Sequence, residues 1–253
     1  MTNTKSFILK NIAVLIALVF TTDLSQAQSD YAQWEAAAKL NKAMLPLYGR
    51  LPKTAEEKAN DSTFLAKISA MPEFDTRRKA SDHLIDLGFQ YYYRPDLKTA
   101  MYRFNQAWLL DSTNTDVYWG YGAIYMALGR YDLAKEQYDA GLAVDPKSPH
   151  LLTDLATFYM QQYYVLNDAP KLANMDNPKI VAQQDLDSAI IYLRRSYDVD
   201  AKDVNTVFKL SVCYWNKKDC DNAWKYYDET VALGGRPITA DYTADLKKLC
   251  SHK

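Results

Sequence analysis

Few side chains in this sequence belong to types that do covalent or metal chemistry, and their spacing is the first thing to weigh. The three cysteines, Cys213, Cys220 and Cys250, lack both the CxxC spacing of redox motifs and the paired spacing of a zinc site. The three histidines, His83, His150 and His252, fall outside any HExxH arrangement, and neither a GxSxG nucleophile elbow nor a phosphate-cradling glycine loop occurs. His150 precedes Asp154 by one helical turn, yet it reads as a solvated residue in a first turn. The acidic neighbours Asp82 with Asp86 and Glu56 with Glu57 lie near expected helix starts, where the helix dipole favours acids without any catalytic reason. These residues imply no catalytic set, no metal ligands and no cofactor. The chain reads as a binding protein, not an enzyme.

The elements that hold these residues begin after a leader. Lys5 and Lys10 precede an apolar stretch from Ile12 to Phe20, and Ser25-Gln26-Ala27 follow as a small-residue exit. That is the pattern of a secretory signal peptide over residues 1–27, cleaved near Ala27, and its apolar part is shorter than the ~20 residues a membrane span needs. The mature chain is expected to be periplasmic or secreted, with no membrane span. Acids and bases nearly cancel, 31 against 30, so bulk charge favours neither nucleic acid nor a membrane surface. Eight Gly and nine Pro argue against a turn-rich β protein. The 20 Tyr and 5 Trp point instead to an interdigitated helical core or an aromatic binding surface.

A repeat organises the middle of the chain. Leu84, Leu87, Gly88 and Tyr91 recur 34 positions later as Tyr118, Tyr121, Gly122 and Tyr125 (118 − 84 = 34). Ala100, Phe104 and Ala107 recur as Ala134, Tyr138 and Gly141, and Ser112 as Pro146. Small residues where two helices approach, large ones between neighbouring pairs and a closing proline are what stacked helix hairpins require. These residues resemble the tetratricopeptide repeat signature, and DVYWGYGAIYMALGRYDLAKEQYDAGLAVDP is similar to its consensus. The resemblance implies an all-α solenoid of antiparallel hairpins. Its units are 81–114, 115–148, 149–203 and 204–236, the third carrying an irregular insertion at about 163–184 whose contact residues would be Tyr163, Tyr164, Val165, Leu166 and Met175. Residues 28–80 form an N-terminal helical segment, with Thr54 and Glu57 as a capping box. Residues 237–253 form a capping helix with an apolar stripe at Ile238, Tyr242, Leu246 and Leu249.

Within such a stack Cys220 sits at the turn of the last hairpin, and the capping helix returns Cys250 to the same end. A Cys220–Cys250 bridge would close a loop of about 30 residues and contribute roughly 3–4 kcal/mol, with Cys213 buried as a small apolar residue. Three inert thiols are the other partition.

The tetratricopeptide resemblance also implies that first helices line a concave face. Its ligand-facing positions fall on Asp82, Ile85, Asp86, Phe89, Tyr92 and Tyr93; on Asp116, Trp119, Gly120, Ala123, Met126 and Ala127; on His150, Thr153, Asp154, Thr157, Met160 and Gln161; and on Asn205, Phe208, Lys209, Val212, Trp215 and Asn216. Some members clamp a terminal carboxylate there with cations; this sequence has Asp82, Asp86, Asp116 and Asp154 instead. The expected groove is aromatic and mildly acidic, built from Phe89, Tyr92, Tyr93, Trp119, Met126, Met160, Phe208 and Trp215 beside those acids. It suits an apolar, somewhat basic segment of a partner protein, which makes the chain an adaptor of the cell envelope. A glycan or small ligand stacked on the same rings is the alternative, and filling of the face by the N-terminal helices is a third possibility. Asp61-Ser62-Thr63 and Asp111-Ser112-Thr113 look like O-glycosylation acceptor triplets of exported proteins in some bacteria.

Overall fold

A computed structural model describes residues 30–168 and 177–251, and among them every regular element is helical, with no strand. The leader, Met175 and His252 lie outside the described residues. Residues 30–40 form α1, followed by two 3-10 turns, Lys42–Met44 and Pro46–Arg50. The longer helices are α2 (Ala55–Ser69), α3 (Arg77–Tyr92), α4 (Leu97–Leu110), α5 (Asp116–Ala127), α6 (Tyr131–Val144), α7 (Pro149–Asp168), α8 (Pro178–Val199), α9 (Val204–Asn216), α10 (Cys220–Ala232) and α11 (Ala240–Leu249). The chain forms two compact units, one up to Glu136 and one from Gln137.

The first unit is organised around Phe104. Its ring is fully buried in α4, and a Cβ at Gly88 of α3 or at Gly120 of α5 would come within 2.4 or 2.5 Å of it. Only glycine permits that approach. Polar side chains open the helices: Thr54 and Glu57 form the full capping box of α2, Thr76 caps α3, and Asp96 caps α4. Because α3 already starts at Arg77, Asp82 and Asp86 lie beyond its first turn, and the dipole does not account for them.

The N-terminal segment is fastened to α4. The Asn105 side-chain amide donates to the carbonyls of Ala43 (2.9 Å) and Leu45 (3.0 Å). Tyr121 donates to Asn105 Oδ1 at 2.7 Å and accepts from the Leu47 backbone N–H at 3.3 Å. Asn105 and Tyr121 are fully buried, so this hub satisfies polar groups that would otherwise cost about 1–3 kcal/mol each.

The second unit contains two hairpins, α7–α8 and α9–α10, closed by α11. Of the irregular insertion expected at 163–184, Tyr163 to Asp168 continue α7 and Pro178 to Gln184 already belong to α8, while 169–176 lie outside the described residues. Pro178 occupies the first turn of α8, where its missing N–H costs nothing, and the extension buries Leu166, Ala182 and Leu186. The insertion lengthens a hairpin. Thr153, placed by the repeat register on the ligand face, is buried instead, its hydroxyl 2.8 Å from Ser196 Oγ and 2.6 Å from Thr206 Oγ1.

A disulfide joins Cys220 to Cys250 with Cα atoms 5.3 Å apart, and Cys213 is a buried free thiol. Burial pushes that thiol's pKa up to about 12. The indole of Trp224 donates to the Cys250 carbonyl at 3.0 Å, tying α10 to the end of α11.

Candidate binding face

In the first unit, α3 and α5 bring most of the expected groove residues together. The Phe89 ring lies 4.1 Å from that of Trp119 and 5.2 Å from Phe104 beneath it. Tyr92 and Tyr93 continue the cluster at 6.1 and 6.4 Å from Phe89, and Tyr93 is 75% exposed. Met126 is half-buried further along α5. Asp86 is exposed one turn before Phe89, and Asp116 is half-buried at the start of α5. Asp82 serves the fold, accepting at 2.7 Å from the side-chain amide of Asn114, a residue only 1% exposed in the turn between α4 and α5.

Three positions that the repeat register placed on the ligand face, Ile85, Gly120 and Ala123, are buried. Gly120 faces Phe104, so its side of α5 turns inward at a position the repeat register assigned to the ligand face.

In the second unit the expected residues divide differently. Asp154 lies 4.0 Å from Lys209 Nζ, which donates to Thr157 Oγ1 at 2.7 Å. Met160 packs onto the core shared by α7, α8 and α9. Phe208 and Trp215 meet the Tyr242 ring of α11 at 5.2 and 6.1 Å, and Tyr242 also shares a 2.7 Å hydrogen bond with Ser211. The capping helix therefore covers the rings expected at that end, and burial pushes the Tyr242 hydroxyl up to about 12.

A cleft of about 750 Å³ adjoins the aromatic face of the first unit, its walls including Asp30, Trp34, Tyr92, Tyr93, Asp96 and Lys98. Asp96 is held below the usual carboxylate range by its hydrogen bonds to Thr99. The tetratricopeptide resemblance assigned Tyr92 and Tyr93 to a binding surface but missed the rest, because it does not report where α1 docks. The Trp34 and Ala38 spacing (i, i+4) was the available signal for a buried face on that helix. Among the described residues, no group of three His, Cys, Asp or Glu could hold a metal ion, and no helix is long and apolar enough to cross a membrane.

Residues 95–153, spanning α4, α5, α6 and the start of α7, match the tetratricopeptide repeat family. That stretch carries tetratricopeptide repeats, and the all-helical fold around it is similar to that of tetratricopeptide repeat proteins. A thermophilic tetratricopeptide repeat protein of Thermus thermophilus is similar in fold, with a TM-score of 0.50 at 17% identity, covering 67% of this chain and 80% of its own. Pseudomonas aeruginosa pilF is matched at 20% identity over 68% of this chain and 85% of its own, with a TM-score of 0.36. No curated protein matches the sequence. Tetratricopeptide repeat proteins are in general protein-interaction scaffolds without catalytic activity.

Proposed function

We propose that this chain is an exported, non-enzymatic scaffold of the cell envelope that holds a segment of another protein against α3 and α5 of its first unit. The observation that carries the reading is the run of rings Trp119, Phe89, Tyr92 and Tyr93 beside the exposed Asp86. Aromatic anchors supply most of the energy at protein interfaces, and a neighbouring acid selects a basic partner over an acidic one. Export after cleavage near Ala27 is supported by the Cys220–Cys250 bridge, which persists in oxidising compartments.

The test is affinity capture from the native envelope with wild type, Trp119→Ala and Asp86→Lys, each checked for unchanged helicity. Asp86 is exposed, so reversing its charge leaves the core intact. A partner that mass spectrometry identifies with wild type is expected to be lost from both variants. Equal recovery from all three refutes the reading, and saturable tryptophan quenching by polysaccharides without protein capture would replace it with glycan binding.

A further inference from the structure

The cleft beside the aromatic face has a chemistry of its own. It brings the rings of Trp34, Tyr92 and Tyr93 together with the carboxylates of Asp30 and Asp96 and the ammonium of Lys98. Three helix ends meet at its edge: Tyr93 is the C-cap of α3, Leu128 the C-cap of α5, and α4 begins there with Asp96 as its N-cap. Helix C-termini carry partial negative charge. Asp96 is fixed in place as the N-cap of α4, accepting from the Thr99 backbone N–H at 3.1 Å.

Ring faces, carboxylates and helix C-termini share a preference for a cation. A guanidinium meets all three, since it stacks on aromatic rings while its edge donates to carboxylates. Trp34 forms part of the cleft wall; it is 6% exposed, and its buried indole N–H has no acceptor among the described residues.

We propose that this cleft receives an arginine side chain of the bound partner segment, with Tyr92, Tyr93 and Trp34 against the guanidinium and Asp30 and Asp96 balancing its charge. The assignment rests on the reading that the α3–α5 face holds a partner segment, and it names what that segment presents next to the face. The volume of about 750 Å³ admits the side chain together with its flanking backbone.

Acetyl-arginine amide and acetyl-citrulline amide have similar shape and differ in charge, so they are the probes. Each is titrated into the full chain while the Trp34 indole N–H resonance is followed by NMR. The arginine compound is expected to shift that resonance saturably, and the citrulline compound to bind roughly tenfold more weakly. Asp96→Asn removes the charge but keeps a good N-cap residue, so α4 is retained and binding weakens about two- to fivefold. Tyr93→Ala changes a side chain that is 75% exposed and is expected to weaken binding to a similar extent with unchanged melting. Equal binding of the two probes overturns the proposal, as does an indole shift produced by maltotriose and not by arginine, or indifference to both variants. Capture lost in Trp119→Ala and Asp86→Lys while the arginine probe is silent sinks only the cleft assignment; the reverse pattern sinks the partner reading and, with it, the claim that the arginine belongs to a partner segment.

Discussion

Reducing the Cys220–Cys250 bridge is the most direct perturbation of the second unit, because it removes no atoms from the fold. The two residues are 30 apart in sequence. In the chain-entropy relation a loop of that size restricts the unfolded chain by about 12 cal/mol/K, or roughly 3.6 kcal/mol at 25 °C. With a urea slope of about 2 kcal/mol/M, the transition of this unit should move down by roughly 2 M. Trp224, bonded to the Cys250 carbonyl, and Trp215, against Tyr242, make tryptophan fluorescence the natural probe. Circular dichroism follows helix loss in parallel, with and without reductant. Alkylation of the denatured chain supplies the internal check: one thiol without reductant, from Cys213, and three with it. Coincident urea curves for oxidised and reduced protein would refute the reasoning. They would mean that α11 is held against α10 by packing strongly enough to restrict the reduced chain equally.

Three further outcomes follow from the geometry. Gly88→Ala places a methyl 2.4 Å from the Phe104 ring, which Gly120 confines from the other side, so denaturation should show a loss of about 1–3 kcal/mol, partly recovered in a Phe104→Leu background. Tyr121→Phe removes a hydroxyl that serves both Asn105 and the Leu47 N–H; a cost of about 1–3 kcal/mol is expected, with faster hydrogen exchange at Leu47. The Glu57 carboxyl is lowered below 4.5, chiefly by its hydrogen bond from Lys42. Its contribution is therefore complete above the unfolded pKa and lost as pH falls through the lower folded value. Exchange at the start of α2 should accelerate as the pH falls through that lowered value, and unchanged protection there would contradict the capping role.

Much of the hairpin pattern was legible because its determinants are local. Gly88 and Phe104 recur in the 34-residue register as Gly122 and Tyr138, and the structure sets Phe104 against Gly88; the second glycine against that ring is Gly120, which the register pairs with Asp86. The Thr54–Glu57 capping box is likewise a four-residue signal, and it forms. What escaped depends on partners distant in sequence. Asn105 looks like an interruption of the apolar stripe of α4 until the carbonyls of Ala43 and Leu45, some 60 residues away, supply its purpose. Phe208 and Trp215 look like open anchors until α11 returns with Tyr242. The third repeat misled for a different reason. Its prolines, Asn and Asp opposed one continuous helix, but Pro178 opens a new helix as readily as it interrupts an old one.

The docking of the N-terminal segment decides how the binding face can be tested. Residues 41–47 direct their long-range hydrogen bonds to Glu57 of α2, to Tyr102 and Asn105 of α4 and to Tyr121, while Phe89 and Trp119 pack on one another. Removing residues 28–53 would strip Asn105 and Tyr121 of partners and expose the apolar surface covered by Trp34, Met44 and Leu47. At about 1 kcal/mol for each hydrogen bond and 1.5–3 kcal/mol for each large side chain, the loss is comparable to the whole stability of a small domain. Such a truncation would lose binding whether the segment filled the face or only braced α4 behind it. Side chains that face outward, Asp86 and the largely exposed Tyr93, are therefore the positions at which a change in affinity reports recognition and not folding.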